Sequence, residues 1–162
     1  MDNLRAGTAR LGEAIGEIRR ISHDLRPSLL DTLGLSPAID QLVREFEQRT
    51  TIRTQYEREL DDAQVDKDVS VTLFRIIQEA LGNIERHSRA SAAIISLSTS
   101  RRAIALRVED NGVGFDPGLM DRSQGIGLRN IRERVDHHRG TFSISSYHGR
   151  TELQVEIPVQ SA

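Results

Sequence analysis

The sequence predicts an α/β fold, a two-layer sandwich in which helices cover one face of a mixed, mostly antiparallel sheet, with a long helix in front of it. Three observations support this prediction. Apolar residues recur at helical spacing in four segments. Five other segments show the alternation or the β-branched residues that are typical of strands. Two pairs of these strands are separated by only three residues, which favours antiparallel pairing.

The first predicted helix covers residues 4–25. Its apolar residues form a narrow stripe of heptad-like spacing on an otherwise charged surface, namely Leu4, Leu11, Ile15, Ile18 and Leu25. A stripe this narrow requires a partner helix. Because the residue before a proline is disfavoured in helical conformation, the helix should end or kink at Arg26. We assign residues 1–35 to this helix and a linker, and residues 36–162 to the main domain.

The main domain should open with a second helix. Ser36 can cap this helix, and Pro37 suits its first position, so the helix should run from there to about Thr50. The β-branched residues of 50–57 then predict a strand. The third helix, residues 68–88, has the clearest helical pattern in the chain, with an apolar face made of Leu73, Phe74, Ile77, Leu81 and Ile84.

Two strands should follow this helix, over residues 90–99 and 103–110, joined by the turn Ser100–Arg102. The next segment, residues 110–127, is dense in glycine and polar side chains and has no helical or strand period. Loops this long in compact domains are usually functional lids or disordered. The segment is therefore a candidate lid.

The chain should end with a short amphipathic helix and a strand pair. The helix runs through Leu128, Ile131 and Val135. The strands cover residues 141–147 and 151–158 and can pair as a hairpin across the three residues between them.

The composition excludes several classes of function. The chain has 162 residues and a net charge of -2, so no basic field points to a nucleic-acid partner. It contains no cysteine, which excludes disulfides, a thiolate zinc site and a cysteine nucleophile. Lys67 is the only lysine among 22 basic residues. No segment approaches the roughly 20 apolar residues of a membrane span. We therefore expect a cytoplasmic domain.

Four polar residues of the third helix fall on one side of it, roughly opposite the apolar face: Glu79, Asn83, Arg86 and His87. Carboxylate and amide oxygens are magnesium ligands, and the two basic side chains suit phosphate oxygens. The stripe could therefore bind a metal-bound polyphosphate. A solvated helix face is the alternative, and spacing alone favours it.

Asp110 continues the apolar face of its strand, which carries Ile104, Leu106 and Val108 at two-residue spacing. A buried carboxylate needs a hydrogen-bond donor, and the amino group of adenine is a suitable one. The alternative, equally compatible with this motif, is that Asp110 lies past the strand end in an ordinary Asp-Asn-Gly turn.

Two glycine clusters flank the candidate lid. Gly112 and Gly114 allow close backbone approach, and Gly125 and Gly127 precede the helix that begins near Leu128. Amide groups at a helix start attract anions, so the second cluster suits a phosphate group. Flexible-loop glycines are the alternative. The P-loop pattern is excluded, because the chain lacks its glycine-lysine pair.

Read in order, FRIIQEALGNIERHS, VEDNGVGFD and GIGLRNIRERV resemble the N box and the two glycine boxes of the GHKL ATPases. The residues of these segments, together with LRPSLLDTLGL upstream, are similar to those of sensor histidine kinases that partner NarL-type response regulators. The resemblance implies a Bergerat-type ATP-binding fold, with residues 1–35 containing the second dimerisation helix.

The resemblance also implies the ligands, ATP and Mg²⁺, and a role for each candidate residue. Asn83 would ligate magnesium, and Glu79 would orient or activate groups at the phosphate end. The phosphates would be contacted or surrounded by Arg86, His87, Gly125, Gly127 and Leu128. Asp110 would receive the adenine amino group, Gly112 and Gly114 would shape the adenine pocket, and Thr151 would support Asp110 from behind.

The chain departs from the family pattern at two places. Arg150 stands where the family usually has a glycine before Thr151. His23-Asp24 imitates the acceptor box, yet it lies directly before Leu25-Arg26-Pro27, with no room for a helical hairpin between them. We therefore expect His23 to be an ordinary residue of the second dimerisation helix, and the acceptor histidine to lie on a helix absent from this chain.

The sequence thus predicts a histidine kinase domain that transfers the ATP γ-phosphoryl group to that acceptor histidine. The implied partners are the acceptor helix of the same kinase, a helix-turn-helix response regulator and a second copy in the full-length protein. A membrane would be reached only through segments upstream. An anti-sigma-type serine kinase and a non-catalytic nucleotide-binding docking module are the alternatives.

Overall fold

A computed structural model describes residues 28–115, 126–147 and 149–159. Its helices and strands follow each other in the order α1 (Ser28–Leu33), α2 (Leu35–Arg49), β1 (Arg53–Glu59), α3 (Lys67–Asn83), β2 (Ala92–Thr99), β3 (Ala103–Asp110), α4 (Ile126–His137), β4 (Thr141–Tyr147) and β5 (Arg150–Pro158). A 3₁₀ turn at Asp62–Gln64 precedes α3, and a π-helical turn at Ile84–Ser88 follows it.

The five strands form one mixed sheet in the order β1-β2-β3-β5-β4. Only β1 and β2 run parallel, and the other neighbours are antiparallel. The long helices α2, α3 and α4 pack on one face, so the predicted two-layer sandwich is confirmed. None of the helices in the described ranges is long and apolar enough to cross a membrane.

The alternation of β3 explains why this sheet has one covered face. Ile104, Leu106 and Val108 are almost completely buried, whereas the residues between them are half-exposed. The buried side chains meet α3, whose Leu73, Ile76 and Ile77 are each inaccessible to solvent. Asp110 continues the buried side of β3 and therefore points into the layer between sheet and helices.

The start of α2 differs from the sequence prediction. The helix begins at Leu35 with Gly34 as its N-cap, two residues earlier than expected, and Ser36 is not the cap. Asp62 of the 3₁₀ turn supplies the missing acceptor, because its carboxylate receives the Ser36 amide at 2.9 Å and the Ser36 hydroxyl at 2.5 Å. A carboxylate at a helix N-terminus accepts hydrogen bonds from the free amides, and its negative charge interacts favourably with the positive end of the helix dipole.

Other boundaries shift by a few residues. The segment before α2, expected as a linker, forms the short helix α1, and its Leu30 is buried in the core. Strand β1 begins at Arg53 rather than near Thr50, and α4 begins at Ile126 rather than near Leu128. The hairpin of β4 and β5 is present, with Tyr147 paired to Arg150. The predicted helix 4–25 and most of the candidate lid lie outside the described residues.

Candidate functional site

The site begins at the end of β3, where Asp110 is 5% exposed. The Gly112 amide donates a hydrogen bond of 2.8 Å to its Oδ1 atom. Burial raises the pKa of Asp110; the Gly112 hydrogen bond lowers it, and the neighbouring charge of Glu109 raises it further. Asp110 therefore lies in the strand as a buried acceptor, and the alternative of an exposed turn residue is wrong.

The backbone after Asp110 is fixed to the end of α3. The Val113 amide donates to the Ser88 carbonyl at 2.8 Å, and a Cβ atom on Gly112 would overlap that same carbonyl oxygen. The Ser88 side chain closes the helix end, since its hydroxyl donates to the Ile84 carbonyl and accepts from the Ala90 amide. A glycine at position 112 is required for this close approach.

The other side of the loop is fixed to the β4–β5 hairpin. Gly114 has φ +70°, and a Cβ atom there would overlap the Tyr147 carbonyl oxygen. The next amide, of Phe115, donates to the Ser146 hydroxyl at 2.9 Å, and that hydroxyl bonds the Thr151 hydroxyl at 2.9 Å. Thr151 also lies directly opposite Asp110 in the β3–β5 register. The hairpin therefore supports the loop from behind.

The polar residues of α3 form a small cluster. Arg86 Nη2 donates to Asn83 Oδ1 at 3.0 Å and to Glu79 Oε1 at 3.4 Å. His87 lies exposed in the same π-helical turn and takes no part in the described hydrogen bonds of the cluster. Single-turn π segments inside or at the end of α-helices are frequent at functional sites. Three of the four stripe residues are thus brought together.

The start of α4 lies against this cluster. A Cβ atom on Gly127 would overlap Glu79 Oε1, so the glycine lets the helix backbone touch the carboxylate. Leu128 is half-buried and packs against the core, which holds the first turn of α4 in place. The free amides of that turn therefore lie next to the polar residues of α3. Gly125 lies outside the described residues.

Arg150, the departure from the family pattern, forms ion pairs with two glutamates. Its guanidinium contacts Glu109 at 3.0 Å and Glu152 at 2.5 Å on the outer face of the sheet. Gly149, at φ +88°, makes the turn before it. The hairpin consequently closes without a glycine at position 150.

Sequence reasoning missed Ser88 and Ser146, the two serines that hold the loop. Both act through contacts distant in sequence: Ser88 to Val113 and Ser146 to Phe115. Ser146 alone carried a local signal, since it falls at a buried position in the alternation of β4. No local signal marks the Ser88 carbonyl as an acceptor.

Comparison with known proteins identifies the class of protein to which this arrangement of residues belongs. The family model described as histidine kinase-, DNA gyrase B- and HSP90-like ATPase matches residues 68–161, so the chain belongs to this family. Domains of this family bind ATP. The match covers the polar cluster, Asp110 and both glycine clusters.

The relatives in this family are sensor histidine kinases. The chain is 41% identical over 155 residues to the sensor histidine kinase MctS of Rhizobium johnstonii, covering 94% of this chain and 33% of that protein. It is 31% identical over 160 residues to the oxygen sensor histidine kinase NreB of Staphylococcus carnosus, covering 98% and 46%. The chain thus spans a third to just under a half of these curated relatives.

Solved structures show the same fold. The ATP-binding domain of PrrB from Mycobacterium tuberculosis matches with a TM-score of 0.61 at 18% identity, covering 78% of this chain and 94% of that one. The histidine kinase AdeS of Acinetobacter baumannii matches with a TM-score of 0.64 at 16% identity, covering 99% and 84%. These similarities confirm the architecture of the sheet and the helices.

Proposed function

We propose that this chain is the ATP-binding kinase region of a two-component sensor histidine kinase. The intact protein transfers the ATP γ-phosphoryl group to a histidine on a dimerisation helix. One observation carries the proposal. A buried carboxylate begins a loop that is hydrogen-bonded to the end of α3, and a polar cluster of the magnesium-binding type lies at that same helix end, in a chain whose relatives are named sensor histidine kinases.

Adenine binds at the Asp110 end. The Gly112 amide already donates a hydrogen bond to Asp110 Oδ1. The second oxygen, Oδ2, therefore accepts a hydrogen bond from the exocyclic amino group of adenine. The close backbone approaches at Gly112 and Gly114 fix the loop that follows Asp110, on which the flat base would lie. Thr151, opposite Asp110 in the sheet, bonds Ser146, whose hydroxyl receives the Phe115 amide and so holds the loop that follows Asp110.

The phosphates bind at the start of α4, where Gly127 and Leu128 lie, and Gly125 belongs to the same glycine cluster of the sequence. Free amides and the helix dipole favour negative charge there. Arg86 and His87, both exposed in the π-helical turn after α3, contact the phosphates, and Arg86 must first leave its hydrogen bonds to Asn83 and Glu79. Glu79 orients the reacting groups, since its carboxylate touches the first turn of α4.

Mg²⁺ fits the polar cluster. Asn83 Oδ1 and Glu79 Oε1 already share one cationic nitrogen, Arg86 Nη2, so two oxygen ligands lie within reach of one positive centre. Oxygen ligands of this kind are those that magnesium prefers. Asn83 would hold the metal, which supplies charge stabilisation to the phosphates when bound. The other residues of the site would hold the nucleotide in a geometry suited to phosphoryl transfer.

The partners follow from the same class of protein. The acceptor helix belongs to the same kinase, the receiver is a response regulator with helix-turn-helix output, and the full-length protein is a homodimer. Relatives over nearly the whole of this chain, such as NreB and the sensor histidine kinase ComP of Bacillus subtilis, support this assignment.

The test is phosphotransfer to a separately supplied acceptor-helix protein. Acid-labile label on that protein is the expected result, because phosphohistidine is acid-labile. Acid-stable label would instead indicate the serine kinase. Magnesium-dependent ATP binding without any transfer would indicate the docking module.

A further inference from the structure

The guanidinium of Arg86 lies where a metal ion would be expected. Its Nη2 atom is 3.0 Å from Asn83 Oδ1 and 3.4 Å from Glu79 Oε1, the two oxygens that the proposed function gives to magnesium and to the phosphate end. Glu85, the carboxylate of the π-helical turn, pairs instead with Arg49 of α2 at 3.0 Å. The positive charge of Arg86 is therefore directed to the Asn83–Glu79 pair.

A second, independent observation concerns Gly82. This residue precedes Arg86 by one helical turn, and a Cβ atom on it would lie 2.9 Å from Arg86 Nη1 and 3.2 Å from Nη2. Glycine is disfavoured in helices relative to alanine. The missing side chain gives the guanidinium the space to fold back along the helix onto the two oxygens.

We propose that Arg86 is an internal counter-cation that occupies the magnesium position of the nucleotide-free domain, and that Gly82 permits this conformation. The inference rests on the proposed magnesium role of Asn83. Magnesium-bound ATP must displace the guanidinium before the metal can reach the Asn83 oxygen. Arg86 is in this sense a positioning residue that sets how much magnesium the site requires.

The environment of the pair suits such an exchange. The side chains of Arg86 and Glu79 are 52% and 25% exposed, so their ion pair is solvent-screened and weak. Two cations at one pair of oxygens repel each other, so metal and guanidinium compete for the same place. The released guanidinium then pairs with phosphate oxygens, which are better acceptors than an amide. Binding of the metal and reorientation of Arg86 are thereby coupled.

The experiment measures ATP binding to the full chain by calorimetry across a series of magnesium concentrations. Gly82→Ala places a Cβ atom 2.9 Å from Arg86 Nη1, so the guanidinium must shift from its position on the two oxygens, while its charge stays available to the phosphates. Arg86→Gln removes the charge altogether. Arg58→Gln is the matched control, because it deletes an exposed arginine that pairs with Asp40 at 2.5 Å and lies on β1, away from the cluster.

We expect Gly82→Ala to lower the half-saturating magnesium concentration roughly two- to five-fold, which corresponds to about 0.4–1 kcal/mol, the upper part of the range for exposed ion pairs. Arg86→Gln should lower it as well and also weaken ATP binding at saturating magnesium. Arg58→Gln should match the wild type.

A half-saturating concentration that neither variant lowers would overturn the inference while leaving the magnesium role of Asn83 intact. ATP binding by the wild type that ignores magnesium altogether would overturn that role and the inference with it. Since the Cβ atom that Gly82→Ala adds would meet only the mobile end of a side chain, the variant should fold, and circular dichroism checks this.

Discussion

Replacing Asp110 by asparagine separates nucleotide recognition from stability. The substitution keeps the Oδ1 acceptor that receives the Gly112 amide at 2.8 Å, and it changes little in volume. It replaces the second oxygen by an amino group that would face the adenine amino group, donor against donor. ATP affinity should therefore fall although the pocket keeps its shape.

The magnitude follows from the contact that is lost. A hydrogen bond to a charged acceptor contributes about 1.5–3 kcal/mol, which predicts a Kd for ATP roughly 10- to 150-fold weaker. The stability effect has the opposite sign. Because burial raises the pKa of Asp110 in the folded chain, the ionised carboxylate destabilises the fold at neutral pH. Asp110→Asn should leave the Tm unchanged or higher.

The sign of the pH dependence can be worked out for the nucleotide-free chain. With a folded pKa above the unfolded one, the folded state binds more protons between the two values. Stability therefore falls as the pH rises through this window, and Asp110→Asn should remove that part of the pH profile. Thermal unfolding of both proteins across the window, each compared at the same ionic strength, measures it.

The assays are calorimetry for ATP and thermal unfolding for the fold. Glu109→Gln is the matched control, since it makes the same chemical change one residue earlier, on the outer face of β3 where Arg150 contacts it at 3.0 Å. The control should bind ATP like the wild type. A Kd for Asp110→Asn within two-fold of the wild type would remove Asp110 from adenine recognition.

Three further experiments test the remaining assignments. Asn83→Ala should abolish the magnesium-dependent gain in ATP affinity and leave the magnesium-free affinity unchanged, which calorimetry with and without magnesium measures. If the gain survives, the polar side of α3 is only a solvent-exposed helix face. Gly114→Ala and Gly149→Ala both place alanine at positive φ, at a cost of about 1–2 kcal/mol, but only the first meets a backbone carbonyl, that of Tyr147. Urea unfolding should show a larger loss for Gly114→Ala, with weakened ATP binding only there; equal losses would contradict the loop geometry. Finally, the chain incubated with radiolabelled ATP should carry no acid-labile label, and His23→Gln should look the same; label that vanishes in the variant would make His23 the acceptor.

The fold was predictable wherever the pattern is local. The apolar face of α3 and the alternation of β3 were read directly from the sequence, and both elements lie where the periods placed them. The same alternation put Asp110 on the buried side, which the structure confirms. Periodicity suffices here because one face of each element meets the core.

Contacts between residues far apart in the sequence could not be predicted from local sequence patterns. The predicted start of α2 was wrong by two residues because the carboxylate that binds its first turn, Asp62, lies 26 residues beyond Ser36 in the chain. The π-helical turn after Asn83 also has no signature in the spacing, although it decides where Arg86 points. Ser146 similarly holds the loop at Phe115 from a strand 31 residues away. Such partners become visible only when the topology is known.

The two ends of the nucleotide site share one physical support, the C-terminal end of α3. Asn83 is the last α-helical residue, and five residues later the Ser88 carbonyl holds the adenine loop through Val113. Arg49 donates two hydrogen bonds, 3.0 and 3.1 Å long, to Glu85 of the π-helical turn between them. A displacement of this turn would therefore move the magnesium ligand and the adenine pocket together. Since a bound nucleotide must reach both ends at once, rigid coupling of the ends lowers the conformational entropy lost on binding.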